Sequence, residues 1–193
     1  MFFNLKYITF VYFYLMILMV SSPLHSEITI IHAGTLIDGQ SNQAYKKRTI
    51  IIEDTLIVSV INGYQEPQKN DIYLDLKKYT VLPGLMDMHV HLDGEYNKNS
   101  YSERFSFEAA DRAIRAVVNA KKTLMAGFTT VRNLGDSDNV TISLRNAINQ
   151  GIISGPRIFS AGKSLATTGG HADPTNGVRE DIFHIQTPVD GEI

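Results

Sequence analysis

The sequence of 193 residues contains no cysteine, and its formal charge at neutral pH is only −2. The absence of cysteine excludes disulfides and thiolate ligands, so a metal site would have to use histidine, carboxylate or lysine side chains. Such a weak net charge, without a large cluster of lysine and arginine, argues against a nucleic-acid-binding surface. Nucleophile-elbow, phosphate-loop and Rossmann motifs are also absent. Candidate chemistry therefore lies with the histidines and the acidic residues.

The N-terminal segment has the layout of a secretory signal peptide. Lys6 precedes an apolar run over residues 7–20, and a Ser-Ser-Pro sequence interrupts that run. The run is shorter than the roughly 20 residues that a membrane-spanning helix needs. We therefore predict that residues 1–26 are a signal peptide cleaved near Ser26, and that the mature protein has no membrane span. The predicted location is periplasmic or extracellular.

The rest of the chain divides into two regions with different patterns. Residues 27–82 are rich in β-branched runs and predict strands over residues 28–31, 49–53, 56–61, 72–76 and 80–82. In residues 83–193 strands alternate with helices, which is typical of a parallel sheet. The predicted strands cover residues 85–91, 128–132 and 157–161. A helix over residues 106–126, capped by Ser106, has an apolar stripe that includes Ala113, Ile114, Val117 and Val118. A second helix begins at Asp138 or Asn139 and ends at Gly151.

A His-x-His pair is the most informative motif of the chain. His89 and His91 lie at the end of the predicted strand, shortly after a Pro-Gly turn at residues 83 and 84. Side chains of a strand alternate with a period of two, so both imidazoles point to the same side. Neutral imidazole is a common ligand of zinc, iron and nickel. The pair therefore predicts two ligands of one metal ion, although an isolated pair also fits two ordinary half-buried histidines.

Several segments resemble the amidohydrolase superfamily, in particular the branch related to imidazolonepropionase and Xaa-Pro dipeptidase. The small β-sandwich, the first and second barrel strands, and the third strand with its loop are each represented. The matching segments are LIDG at residues 36–39, IIED at 51–54, LPGLMDMHVH at 82–91, GFTTVR at 127–132, GPRI at 155–158 and TGGH at 168–171. Asn133 departs from the pattern, because the family commonly has aspartate at that position.

The resemblance implies an α/β fold in which residues 27–82 are the N-terminal part of a β-sandwich and residues 83–193 begin a (β/α)₈ barrel. It implies that His89 and His91 bind one or two divalent ions, with zinc favoured. A complete barrel typically takes about 250 residues. We therefore expect an N-terminal piece that stops after the third strand, an incomplete barrel with its first three βα units. The general base is then expected beyond Ile193, with no catalytic residue inside the chain.

Three further residues are candidates for the site. Asp87 lies two residues before His89 and could orient a ligand, or it could serve a capping role at the other end of the barrel. His171 is placed in the loop after the third strand, where a substrate contact and a solvated histidine are both open. Arg132 could bind a substrate carboxylate, but a structural ion pair is the preferred interpretation.

Together these observations predict a metal-dependent hydrolase that breaks C–N bonds with a metal-activated water. The substrate would be a small molecule, such as an Xaa-Pro dipeptide or a cyclic amide. One alternative is a non-catalytic fragment that associates with the missing C-terminal half or with a second copy of itself. The other is part of a mononuclear deaminase.

Overall fold

A computed structural model describes residues 26–173 together with residues 175, 177 and 179. The fold is of the α/β class, as the sequence predicted. The chain divides into two compact units between Pro83 and Gly84. No helix within the described residues is long and apolar enough to cross a membrane. The predicted signal peptide lies almost entirely outside the described residues.

The N-terminal unit is a four-stranded sheet of β1 (Ile28–Leu36), β2 (Tyr45–Glu53), β3 (Leu56–Asn62) and β4 (Ile72–Val81). The strands follow the spatial order β3-β2-β1-β4. β1 is antiparallel to β2 and parallel to β4, whereas β2 and β3 form an antiparallel hairpin. Asp54 has a φ of 52° in the turn of that hairpin, a conformation that aspartate tolerates better than most residues. The β-rich character of this region is thus confirmed.

β4 is one continuous strand where the sequence predicted two, over residues 72–76 and 80–82. The pairing of β1 with β4 shifts register between Ala33 and Thr35. Gly34 lies at this shift against the carbonyl group of Lys77, and a Cβ atom at Gly34 would overlap that oxygen. Glycine therefore lets the two strands stay paired across an irregular step.

The core of this unit is small, because it is built from one face of a single sheet. Its buried members are Ala33, Leu36 and Ile50. Many apolar side chains of β3 and β4 are exposed. The described residues of this unit form one sheet, so the second layer of a β-sandwich stays a prediction.

The second unit alternates strands with helices. Its elements are β5 (Leu85–Val90), α1 (Ser100–Ser106), α2 (Ala109–Met125), β6 (Phe128–Asn133), α3 (Val140–Asn149) and β7 (Arg157–Ser160). The three strands are parallel in the order β5-β6-β7, so the predicted parallel sheet is confirmed. Helices and sheet share one apolar core, whose buried members are Leu92, Ala116, Ala120, Val131, Val140, Leu144 and Ile158.

The predicted start of the first long helix is wrong, whereas the second begins after Asn139, one of its two predicted caps. Ser106 does not cap α2 but ends α1, where its Oγ donates to the carbonyl oxygen of Ser102 at 3.1 Å. α2 begins three residues later, and Asp111 Oδ2 accepts a hydrogen bond from the N–H of Glu108 at 3.0 Å. The carboxylate of Asp111, at the third helical position, thus reaches back to the N–H of the cap residue, as in a capping box.

At the start of α3, Asn139 occupies the cap position but its side chain makes no capping hydrogen bond. Asp136, three residues earlier, accepts a hydrogen bond from the N–H of Thr141 at 2.5 Å and a second from the Thr141 hydroxyl. The carboxylate that caps this helix is therefore that of Asp136, earlier in the loop after β6, and not that of Asp138.

An ion pair joins α1 to α2 and makes their packing depend on pH. Arg115 Nη1 lies 2.5 Å from Glu103 Oε2, and this hydrogen bond holds the pKa of Glu103 below its ordinary value. A lowered carboxyl pKa stabilises the folded state above the unfolded-state pKa of about 4.3. That contribution is lost as the pH falls through the lower folded-state pKa.

We therefore expect Glu103→Gln to lower the urea midpoint at neutral pH, with a difference from the wild type that shrinks below about pH 4. Urea unfolding followed by circular dichroism between neutral and acidic pH measures this. Glu95→Gln is the matched control, because the Glu95–Lys122 pair is more exposed and surface pairs contribute little. A difference that grows toward low pH would contradict the assignment.

Candidate metal centre

The two histidines of the His-x-His motif lie at the carboxyl end of β5. Val90, between them, packs against the apolar core of the second unit. The imidazoles of His89 and His91 are therefore on the opposite side, where both are exposed. Their ring centroids are 5.4 Å apart and the ring planes are inclined by 65°. Two imidazoles this close on one side of a strand can approach the same ion.

His91 is anchored through one ring nitrogen. Its Nδ1 lies 2.9 Å from the carbonyl oxygen of Gly135. A carbonyl oxygen only accepts hydrogen bonds, so Nδ1 carries the proton and Nε2 keeps its lone pair. Metal-binding histidines usually donate their other N–H in this way, which fixes the ring orientation. His91 is thus arranged as a ligand through Nε2.

Side chains also hold the peptide groups on both sides of the motif. The pairing of β5 with β6 shifts register between Asp87 and Val90, which disturbs the backbone ladder at this point. Asp87 Oδ1 accepts a hydrogen bond from the N–H of His89 at 2.9 Å. Arg132 Nε donates to the carbonyl oxygen of Met88 at 2.8 Å. The side chains of Asp87 and Arg132 therefore form hydrogen bonds with the His89 N–H and the Met88 carbonyl at the irregular part of the strand pairing.

These contacts bear on two of the predicted roles. Asp87 accepts its hydrogen bond from the backbone of His89 and not from its imidazole, so any orienting effect acts through the main chain. Arg132 has a carbonyl oxygen as its partner rather than the expected carboxylate. A substrate contact by Arg132 stays a prediction.

Two buried asparagines complete the support, and the sequence analysis did not identify either as part of the site. Asn133 Oδ1 accepts a hydrogen bond from the N–H of Leu92 at 2.8 Å, and Asn119 Nδ2 donates to the carbonyl oxygen of Leu92 at 2.9 Å. Asn119 interrupts the buried face of α2, and that polar interruption was the available signal. Both backbone polar groups of Leu92, the residue that follows His91, are therefore held by buried side-chain amides.

Acidic side chains lie beside the histidines. Burial raises the pKa of Asp93, while hydrogen bonding from the Ser137 N–H and the nearby His91 act in the opposite direction. Asp136 Oδ1 is buried without a hydrogen-bond partner among the described residues. Within that same part of the chain, no group of three or more His, Asp or Glu side chains is arranged to hold a metal ion.

His171 lies apart from these contacts, in the loop after β7, and its side chain is exposed. Asp173 organises this loop. Its Oδ2 accepts from the N–H of Gly169 at 2.8 Å, and its Oδ1 accepts from the N–H and the hydroxyl of Thr175 at 2.8 and 2.7 Å. The Thr175 hydroxyl and these N–H groups hold the pKa of Asp173 below its ordinary value. The loop that carries His171 is therefore ordered by a carboxylate that the sequence analysis missed.

Asp173→Asn should loosen this loop, because an amide has one acceptor oxygen where the carboxylate has two. Faster hydrogen exchange is expected at the amides of Gly169 and Thr175, with exchange in β5 to β7 unchanged. Protonating Asp173 at acidic pH should have the same direction of effect in the wild type. Unchanged exchange at both amides in the variant would show that the carboxylate does not order the loop.

Comparisons with known proteins identify the family of the chain. The profile of the Amidohydrolase family matches residues 80–190, which is more than half of the chain. The protein belongs to the amidohydrolase family. The matched segment begins just before β5 and contains the His-x-His pair.

Individual relatives point to the same family. Ochratoxinase of Aspergillus niger is 30% identical over 162 residues, which cover 81% of this chain and 32% of the relative. A solved Xaa-Pro dipeptidase with methionine bound in its active site is 50% identical with a TM-score of 0.75, over 80% of this chain and 38% of that one. A prolidase complexed with N-methylphosphonate-L-proline is 32% identical with a TM-score of 0.64, over 75% and 34%. The chain therefore spans about a third of the length of the curated relatives.

The residues present fit part of a divalent metal site. Two neighbouring imidazoles, one of them anchored through Nδ1, provide nitrogen ligands. Structural and catalytic zinc sites usually have at least three protein ligands. His89 and His91 can therefore supply two of the ligands of such a site.

Proposed function

We propose that this protein is a divalent-metal-dependent hydrolase of amide or peptide bonds, with Xaa-Pro dipeptides as the first substrate class to test. The observation that carries the proposal is the anchored His91 beside His89 at the end of β5. The identity of 50% to an Xaa-Pro dipeptidase supports the choice of substrate. The parallel order of β5, β6 and β7 supports the view that they begin a (β/α)₈ barrel.

In this proposal His89 and His91 hold the metal, and zinc is the favoured ion. When bound, a divalent ion acidifies water and polarises the scissile carbonyl group. The chain's own residues orient the ligands. Gly135 fixes the His91 ring, and Asp87 and Arg132 fix the backbone around His89. The general base and the remaining ligands would come from later strands of the barrel, whose sites lie at the carboxyl ends of strands.

The test is a hydrolysis assay on the product of the complete coding region, after metal removal and reloading with Zn²⁺, Co²⁺ or Mn²⁺. Release of free proline from Xaa-Pro dipeptides, dependent on the added ion, is the expected result. Release of ammonia from amino-substituted heterocycles without dipeptide hydrolysis would favour a deaminase. Metal binding with no hydrolysis of dipeptides, N-acyl amino acids or cyclic amides would favour a non-catalytic fragment.

We also propose that the protein is exported, on the basis of the charged and apolar pattern of residues 1–26. N-terminal sequencing of the protein from its native host tests this. A mature chain that starts near Glu27 is the expected result, and one that starts at Met1 would contradict export through a cleaved signal.

A further inference from the structure

The carbonyl group of Gly135 receives two hydrogen bonds that link Asn133 to His91. Asn133 Nδ2 donates to this oxygen at 2.9 Å, and His91 Nδ1 donates to it at the same distance. The other end of the Asn133 amide accepts from the N–H of Leu92. The side-chain amide of Asn133 therefore binds the N–H of Leu92, which follows His91. It also binds the Gly135 carbonyl oxygen to which His91 donates.

Asn133 is well placed to be rigid. Its side chain is fully buried at the end of β6, with 0% of the residue exposed. Buried amides are costly unless both their donor and their acceptor are satisfied. Here the oxygen and the nitrogen both have partners at 2.8 and 2.9 Å. The Gly135 carbonyl is accordingly presented to His91 in one orientation.

We propose that Asn133 is a positioning residue that fixes the Nδ1–H tautomer of His91 and so leaves Nε2 free for a divalent cation. The part that concerns the cation rests on the proposed function. The part that concerns the tautomer depends only on the contacts of Asn133, Gly135 and His91.

The hydrogen-bond pattern around position 133 favours asparagine over aspartate. An ionised aspartate could accept the N–H of Leu92 but has no hydrogen to donate to the Gly135 carbonyl. Its second oxygen would face that carbonyl oxygen, and two buried acceptors in contact are unfavourable. The amide is thus the group that matches both neighbours.

Gly135 contributes through its backbone. Its φ of +155° lies in a region that side chains disfavour. A Cβ atom there would also overlap the hydroxyl of Ser164. Gly135→Ala should therefore strain the backbone that presents this carbonyl, and it serves as a second variant.

The experiment uses the full chain labelled with ¹⁵N and free of metal, at about pH 8.5 so that histidine with an ordinary pKa is neutral. Long-range ¹H–¹⁵N spectra identify which ring nitrogen of His91 carries the proton, and calorimetry measures Zn²⁺ affinity. The wild type should show Nδ1–H. Asn133→Ala and Gly135→Ala should raise the Nε2–H population and weaken Zn²⁺ binding by about 10- to 100-fold.

Asn119→Ala is the matched control. Asn119 is also buried and also binds Leu92, but its bond goes to the carbonyl oxygen of Leu92 and not to Gly135. It should lose stability comparably while keeping the His91 tautomer and the Zn²⁺ affinity within about threefold, less than the loss expected for an orienting partner.

Two outcomes would overturn the proposal: an Nε2–H tautomer in the wild type, or an equal tautomer shift in Asn119→Ala and Asn133→Ala. If Asn133→Ala does not fold, the wild-type spectrum and the spectrum of Gly135→Ala still show whether the Gly135 carbonyl sets the tautomer of His91. The expected tautomers without any Zn²⁺ binding would support the positioning role and count against the proposed metal-dependent function alone.

Discussion

Replacing His89 and His91 together with alanine should abolish specific divalent metal binding, with a loss of affinity larger than the roughly 10- to 100-fold loss that follows removal of a ligand's supporting partner. The physical reason is that the two imidazoles are the nitrogen ligands that the described part of the chain brings within 5.4 Å of each other, measured between ring centroids. Metal analysis after dialysis and calorimetric titration with Zn²⁺ measure the effect.

Both side chains are exposed. The free energy of unfolding of the metal-free double variant should therefore lie within about 0.5 kcal/mol of the wild-type value. This separates loss of a ligand from loss of the fold. His171→Ala is the control, because it removes another exposed histidine that lies in the loop after β7. Its Zn²⁺ affinity should stay that of the wild type. Retained binding in the double variant would show that the assigned ligands are wrong.

The single variants sharpen the assignment. His91 has a fixed ring, whereas the described support of His89 acts on its backbone. A pre-oriented ligand loses less conformational freedom when the ion binds. His91→Ala should therefore weaken binding more than His89→Ala does. This order follows from the geometry and not from the sequence, where the two histidines are equivalent.

The sequence predicted the His-x-His pair because a strand imposes a strict period of two. The contacts that support the two histidines follow no comparable period in the sequence. Asn133 and Leu92 are 41 residues apart in the sequence, and Gly135 and His91 are 44 residues apart. Partners at such separations are set by how the parallel strands are placed side by side. The available signals were the asparagine at position 133, where the resembled family commonly has aspartate, and the polar interruption of α2 at Asn119.

The apolar stripe of α2 shows a similar limit. Ala113 and Val117 pack against the core as predicted, but Ile114 and Val118 are 69% and 51% exposed. The predicted stripe joined two adjacent faces of the helix, and periodicity cannot tell which of them meets the sheet. The buried face carries the small residues Ala116 and Ala120, with Asn119 between them, because small side chains let the helix lie close to its strands.

In the N-terminal unit, His32→Phe should lower the free energy of unfolding by roughly 3 kcal/mol. His32 is buried, with only 2% of the residue exposed. Its Nε2 donates to the carbonyl oxygen of Gln65 at 2.8 Å, and its Nδ1 accepts from the Tyr73 hydroxyl at 2.9 Å. Phenylalanine keeps an aromatic ring but leaves both partners without their hydrogen bonds.

Tyr73→Phe is the matched variant, since it removes one of these two hydrogen bonds and leaves the histidine in place. It should cost only about 1 kcal/mol. Urea unfolding followed by tyrosine fluorescence is a direct measure, because the chain has no tryptophan and the ring of Tyr64 lies 4.8 Å from that of His32.

The comparison of the two variants decides what His32 does. If the two hydrogen bonds dominate, His32→Phe costs more than Tyr73→Phe because the Gln65 carbonyl is also left buried and unpaired. If ring packing against Tyr64 dominates, both variants keep an aromatic ring at each position and both costs stay below about 1 kcal/mol. The second result would contradict the polar role and make His32 an ordinary aromatic member of the sheet. The first would mean that a histidine outside the metal centre holds residues 63–65 against β1.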